Sequence, residues 1–250
     1  MECADSAAVA TFFLGDALVA GATVTLSEEA AHHMRVARIP VGEIVALRDG
    51  AGMTAQGRLV KISRTSALVD VIDTREVARP EPIHLLAPVA DRDRMLWLAE
   101  KATELGITSW RPVMWRRSRS VSPRGDGPTF QRKVRARMTS ALIQSGGAWL
   151  PDVFPEASVD RAVNAAPSGM RLLLAADGDP IAGVTMRAPV TIALGPEGGM
   201  ETIERESLVN AGFVPVRLAP STLRFETAGI AAIAIAVAGL SLSGNTNGEA

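Results

Sequence analysis

Two stretches in the C-terminal half govern how this chain is read: Leu194-Gly195-Pro196-Glu197-Gly198-Gly199-Met200, and Leu218-Ala219-Pro220-Ser221-Thr222-Leu223-Arg224-Phe225-Glu226-Thr227-Ala228. Each follows an apolar, strand-like run (190–194 and 213–218), and each leads into a helix-like run, from Glu201 and from Glu226. Strand-to-helix loops lying side by side are where an α/β sheet keeps its ligand site. The glycines of 195–199 free the backbone and expose N–H and C=O groups to a flat ligand. Pro196 stiffens that loop, and Glu197 sets a carboxylate at the helix entrance. No GxGxxG opens a βαβ unit and no GxxxxGK[ST] is present, so neither a Rossmann dinucleotide site nor a P-loop is supported. A purine nucleoside held by main-chain groups suits the loop, although GPEGG taken singly reads more readily as an ordinary turn.

Outward from these loops the pattern is alternating. Strands are predicted at 83–88, 107–113, 171–176, 190–194 and 213–218, and helices at 94–105, 129–144, 159–164, 201–210 and 226–240. Such alternation implies an α/β fold, a largely parallel sheet flanked by helices. In the first of these helices Met95, Leu98, Ala99, Ala102 and Leu105 share one face, and Gly106 ends it. The last helix has small residues on nearly every face, which suits either a buried element or a tight subunit contact. Residues 1–74 read differently, as short alternating strands at 11–14, 23–26, 43–48, 55–62 and 66–72, interrupted by one helix capped by Ser27. Short strands at this spacing predict a small β-barrel. Residues 75–82, Arg-Glu-Val-Ala-Arg-Pro-Glu-Pro, read as a linker to a second domain at 83–250.

Of the 250 residues 47% are hydrophobic and 21% charged, with four Trp, six Phe and no Tyr, so a globular protein with an aliphatic core is expected. Cys3 is the single cysteine, which excludes an internal disulfide and a cysteine-based zinc site and fits a reducing cytoplasm. The adjacent His32 and His33 lack metal-site spacing, so no metal is expected. The longest uncharged apolar run, 228–240, is shorter than the ~20 residues that cross a bilayer. The start, Met-Glu-Cys-Ala-Asp, has neither a basic region nor an apolar core, so no signal peptide is expected. Net charge is −1, yet 111–137 carries Arg111, Arg116, Arg117, Arg119, Arg124, Arg132, Lys133, Arg135 and Arg137 against the single acid Asp126. That stripe reads equally as a polyanion contact or as a solvated face.

Taken together the motifs resemble the SPOUT methyltransferases, and within them the RsmE-like family of 16S rRNA (uridine-N3) methyltransferases. The resemblance rests on Leu194-Gly-Pro-Glu-Gly-Gly199 and on Leu223-Arg224-x-Glu226-Thr227-Ala228. It extends to the segments around His32, His33, Arg35 and Arg38, to Asp93-Arg94-Met95, to 100–106 and to Gln144-Ser145-Gly146, and so covers nearly the whole chain. It implies a PUA-like RNA-binding barrel at 1–74 and a SPOUT domain at 83–250 whose last strands and loops form a deep trefoil knot. It implies S-adenosylmethionine as cofactor, small-subunit ribosomal RNA or the 30S subunit as partner, a homodimer, and a cytoplasmic protein without membrane or metal. The implied cofactor residues are Leu174, Gly195, Pro196, Glu197, Gly198, Gly199, Leu218, Ala219, Thr222, Leu223, Arg224 and Thr227. The implied RNA contacts are His33, Arg35, Arg38, Arg94, Arg116, Arg117 and Arg119.

The chain departs from the family's usual pattern in three places. Ile143-Gln144-Ser145-Gly146-Gly147 stands for Glu-Gln-Ser-Gly-Arg, Leu218-Ala219-Pro220-Ser221-Thr222-Leu223-Arg224 for Leu-Gly-Pro-Arg-Ile-Leu-Arg, and Val89-Ala90-Asp91 where a lysine is common. Uridine N3 is protonated and a poor nucleophile, so the site must supply a base or stabilise the anion. Arg224 is the expected cation near the uracil or its phosphate. Glu226 is an expected catalytic carboxylate, and reads equally as a helix N-terminal charge worth ~0.3–1 kcal/mol. Transfer to a ribose 2′-oxygen, or an assembly factor without turnover, are the rival readings.

Overall fold

The computed structural model describes residues 9–120 and 122–245, and chain contacts divide the protein into two units, 1–79 with 139–150 and 80–138 with 151–250. Cys3 lies outside the described residues, as do the side chains of Arg119 and Ser120.

In the first unit, period-two alternation builds a five-stranded sheet in the order β1-β3-β4-β5-β2, from β1 (Thr11–Phe13), β2 (Thr23–Leu26), β3 (Ile44–Arg48), β4 (Met53–Ile62) and β5 (Ala67–Glu76). All its pairs are antiparallel except β1 with β3. Helix α1 (Glu28–Val36) starts where the Ser27 hydroxyl accepts the Ala30 N–H at 3.3 Å, and it buries Ala31 and Met34, spaced for one face. These two pack with Phe12, Leu26, Val45, Leu47, Leu59 and Val69, an aliphatic core as the composition requires.

Two boundaries differ from expectation. Arg75 and Glu76, expected in a linker, extend β5 because Thr54 and Met53 of β4 pair with them. Residues 139–150, expected in the second domain, complete the first unit. There the Gly52 N–H donates to the Ala148 carbonyl at 3.0 Å, the Leu150 N–H to Gly50 at 2.8 Å, and the Trp149 indole to the Val77 carbonyl at 3.0 Å. Gly52, at φ 100°, admits the indole: a β-carbon there would lie 2.3 Å from Trp149 Cζ2.

The second unit is the parallel sheet. Its strands are β6 (Ile83–Pro88), β7 (Ser109–Met114), β8 (Asp152–Val153), β9 (Ala157–Ser158), β10 (Met170–Pro180), β11 (Val190–Ala193) and β12 (Val214–Arg217). The order is β12-β10-β11-β6-β7-β8, with β9 also on β7, and every pair is parallel. Because both faces are covered, β11 is buried along its whole length. Helices α2 (Arg92–Glu104), α4 (Val159–Asn164), α5 (Thr202–Asn210) and α6 (Phe225–Asn245) belong to this unit, whereas α3 (Gly127–Ser145) begins in it and ends in the first.

Helix α6 is longer than expected. Phe225–Leu242 is the one helical segment among the described residues long and apolar enough to cross a membrane. Its face bearing Phe225, Gly229, Ala232, Ile233, Ala236 and Leu240 is buried, and the helix packs on α2, β6 and β11. At Gly229 a β-carbon would meet only side-chain ends, Leu98 Cδ1 at 2.8 Å and Leu194 Cδ1 at 3.0 Å. The opposite face exposes Thr227, Ala234, Ile235, Ala238 and Leu242. Small residues therefore serve packing on one side only.

Candidate active site

The site lies at the C-terminal ends of β10, β11 and β12. Leu174 and Asp179 of β10 both pair with Val216 of β12, so the four residues between them are looped out of the ladder. Gly178 makes the bulge possible: a β-carbon there would lie 2.5 Å from backbone atoms of Pro215 and Val216. This bulge, the turn after β11 and the loop after β12 wall a cavity of about 630 Å3.

Of the expected cofactor residues, Leu174, Gly195, Pro196, Glu197, Gly199, Leu218, Ala219, Thr222, Leu223 and Arg224 line this cavity. Gly198 and Thr227 do not. The Gly198 carbonyl accepts from the Arg117 guanidinium at 2.8 Å, and Thr227 is on the exposed face of α6. Arg94, expected at the RNA, lines the cavity. Leu194, Met200, Ser221, Phe225 and Ala228 also line the cavity and lie within the stretches 194–200 and 218–228, although none was expected as a cofactor residue; Ala175, Ala176, Asp177, Arg205, Val216 and Arg217 line it from outside those stretches. Asp177-Gly178 carried a signal, but it read as the end of a strand. Arg205, within a helix, carried none.

Four arginines face the cavity, in different states. Arg205 holds Asp177 in an ion pair at 2.8 Å, and its hydrogen bond lowers the Asp177 carboxyl below the ordinary aspartate range. Arg217 donates to the Gly178 carbonyl at 3.0 Å. Arg224 is exposed. Arg94 stands between two carboxylates, 3.7 Å from Glu197 and 3.9 Å from Glu226. Glu226 is buried, and its Oε2 has no hydrogen-bond partner among the described residues.

The basic stripe is tied into the structure more than an open surface would be. The Arg116 backbone N–H donates at 2.7 Å to Glu204, a buried carboxylate that also takes the Glu201 N–H at 2.9 Å at the start of α5. The Arg116 guanidinium pairs with Glu201 at 3.2 Å, Arg111 lies over the Phe154 ring at 4.3 Å, and Arg137 pairs with Glu100 at 2.9 Å. In the first unit His33 meets Phe12 edge-on at 5.8 Å and Arg35 donates to the Ser63 carbonyl at 3.1 Å. Arg38 has a left-handed backbone at φ 55° and an exposed side chain. Asp91, of the segment Val89-Ala90-Asp91, caps α2 by accepting the Asp93 and Arg94 N–H groups at 3.1 and 3.0 Å.

Comparison with known proteins agrees with this architecture. The RNA methyltransferase domain family matches residues 78–237, and the RNA methyltransferase PUA domain matches residues 26–72. The ribosomal RNA small subunit methyltransferase E of Mycobacterium bovis is 30% identical over 93% of this chain and 92% of its own length. The protein of that name from Synechocystis sp. is 28% identical over 85% of this chain and 72% of its own. A crystal structure of ribosomal RNA small subunit methyltransferase E from Neisseria gonorrhoeae, bound to S-adenosyl methionine, matches with a TM-score of 0.83 at 28% identity, covering 91% of this chain and 96% of that one. A parallel α/β unit whose three loops enclose one cavity, preceded by a PUA-like unit, thus accompanies a family match over most of the sequence, and the chain belongs to the RNA methyltransferase family that includes the ribosomal RNA small subunit methyltransferases E.

Proposed function

We propose that this chain methylates N3 of a uridine in small-subunit (16S) ribosomal RNA, with S-adenosylmethionine as donor. The observation that carries the reading is the three-loop cavity, in a chain whose relative of 0.83 TM-score is bound to that cofactor. The cavity residues fit the group. A volume of about 630 Å3 falls within the range of small-molecule sites. Leu174, Leu194, Val216, Leu218 and Leu223 would supply apolar walls for a purine, main-chain groups of 195–197 and 199 its polar contacts, and Asp177 and Glu197 acceptors for hydroxyl and ammonium groups.

When bound, the cofactor supplies an electrophilic methyl group on a sulfonium. The chain's part is to hold donor and acceptor in line, which the bulge of β10 and the loops at 195–200 and 218–224 do from three sides. Its cations offset the charge that develops on the uracil as the N3 proton leaves. Arg224, exposed at the cavity wall, grips a nearby phosphate, and Glu226 and Glu197 orient the loops. The target base is turned out of its stack to enter. The first unit, a PUA-like barrel carrying His33, Arg35 and Arg38, grips surrounding RNA by backbone and shape, with Arg116 and Arg117 alongside the second loop.

The same reading includes a trefoil knot formed by the last strands and loops, a domain division near residues 75–82, and a cytoplasmic homodimer closed by the exposed apolar face of α6. Ser221 on the cavity wall, which falls at the arginine of the Leu-Gly-Pro-Arg-Ile-Leu-Arg pattern that the stretch resembles, favours a second reading in which turnover or target differs. One experiment separates them. Labelled cofactor is incubated with the protein and with small subunits from a strain lacking the gene, and the methylated nucleotide is mapped. A uridine whose pairing edge blocks reverse transcription is the expected product. A methyl on a ribose oxygen, or none, overturns the proposal.

A further inference from the structure

Arg94 is placed where electrostatics alone disfavours it. It is the third residue of α2, and its backbone N–H is spent on the Asp91 cap, so its cationic side chain leaves the helix at the positive end of the dipole. Two carboxylates from different elements hold it there, Glu197 Oε1 of the loop after β11 at 3.7 Å and Glu226 Oε1 of the first turn of α6 at 3.9 Å. Both separations exceed hydrogen-bond length, so the charge is anchored while the N–H donors are not consumed by either partner. Arg205 and Arg217, by contrast, spend donors on Asp177 and on the Gly178 carbonyl, and Arg224 has no ion pair among the described residues to fix it.

The geometry points to Arg94 as the catalytic cation of the methyl-transfer site, its planar donor fork set against a uracil oxygen beside N3. This rests on the function proposed above. In the step itself the N3–H bond leaves its electron pair on N3 and the proton passes to water. N3 then bonds to the methyl carbon while the carbon–sulfur pair returns to sulfur, leaving a neutral thioether. Before transfer, the negative charge on the base spreads onto the two oxygens flanking N3. A guanidinium already oriented by protein charges stabilises that anion without reorganising. It also neutralises Glu197 and Glu226, which would otherwise repel the anion.

The test is single-turnover methylation of undermodified small subunits by the full-length protein, its R94M and R94K variants, from neutral to alkaline pH. Loss of the cation raises the ionisation pH of the bound uridine. R94M is therefore about 100-fold slower at neutral pH, and the deficit shrinks as pH rises and the base ionises unaided. R94K, keeping charge but not the fork, falls between. Cofactor affinity by calorimetry, and the subunit concentration that gives half the maximal rate, change far less than the rate itself. An R94M deficit equal at every pH overturns the inference, and so does a changed cofactor affinity or KM with an intact rate. A wild-type protein that leaves the subunits unmethylated overturns the proposed function and this inference with it.

Discussion

Glu204 offers the sharpest test of how the cofactor loop is held. Its two oxygens each accept a backbone N–H, from Arg116 at 2.7 Å and from Glu201 at 2.9 Å, and the residue is 6% exposed. Glutamine has the same shape but only one acceptor, so in Glu204→Gln one N–H faces an amide donor instead of an oxygen. A hydrogen bond to a charged group is worth ~1.5–3 kcal/mol, so the change costs about 2 kcal/mol, and Glu204→Ala, which orphans both donors, about 4 kcal/mol. With a urea slope of about 3 kcal/mol/M the midpoint falls by about 0.7 M for glutamine and about 1.3 M for alanine. The assay is urea denaturation followed by tryptophan fluorescence, since Trp115 is buried beside Arg116. Glu201→Gln is the contrast: it removes an ion pair whose side chains are 62% and 36% exposed, and shifts stability by less than about 1 kcal/mol. A Glu204→Gln midpoint equal to that of the wild type would refute the idea that this carboxylate clamps the basic turn to the second loop.

Three further outcomes follow from the same geometry. Gly178→Ala drives a β-carbon into backbone that cannot yield, so it costs about 2 kcal/mol, lowers the melting temperature by about 6 °C and weakens cofactor binding; an unchanged melt and affinity would show that the bulge tolerates a side chain. Gly229→Ala meets only the movable ends of Leu98 and Leu194 and gains up to about 1 kcal/mol of helix propensity, so its melting temperature stays near that of the wild type, and a loss as large as that of Gly178→Ala would contradict this. Arg205 depresses the Asp177 carboxyl, so the pair stabilises the fold above the unfolded aspartate value, about pH 4, and that contribution is lost as pH falls through the lower folded value. The gap in urea midpoint between wild type and Asp177→Asn should therefore close on acidification; a gap that stays constant to acid pH refutes the assignment.

Local chemistry made much of this legible. The Gly/Pro loops, the Ser27 cap, the Gly106 stop and the alternation of strand with helix are written in neighbouring residues, and the structure has them. What stayed hidden depends on partners distant in sequence. The bulge at 175–178 exists because Val216 pairs twice with β10, which no window around Asp177 contains. Arg116 and Arg117 read from sequence as RNA contacts or as part of a solvated face, and nothing near them in the chain announces Glu204 and Gly198, which the fold brings to them from the far end of the domain. Arg94 sits on a helix whose apolar face is evident, yet its place between Glu197 and Glu226 is a product of tertiary packing.

The contribution of residues 139–150 to the first unit bears on the order of events during synthesis. Domains tend to complete themselves as they leave the ribosome, N-terminal part first. Here Gly50, Gly52 and Val77 wait for Leu150, Ala148 and Trp149, so residues 80–138, which belong to the other unit, must emerge before the N-terminal unit can close. A nascent chain cut after residue 79 carries an unfilled indole site and unpaired backbone at Gly50 and Gly52, and supplying 139–150 in trans is the means by which it would be made whole.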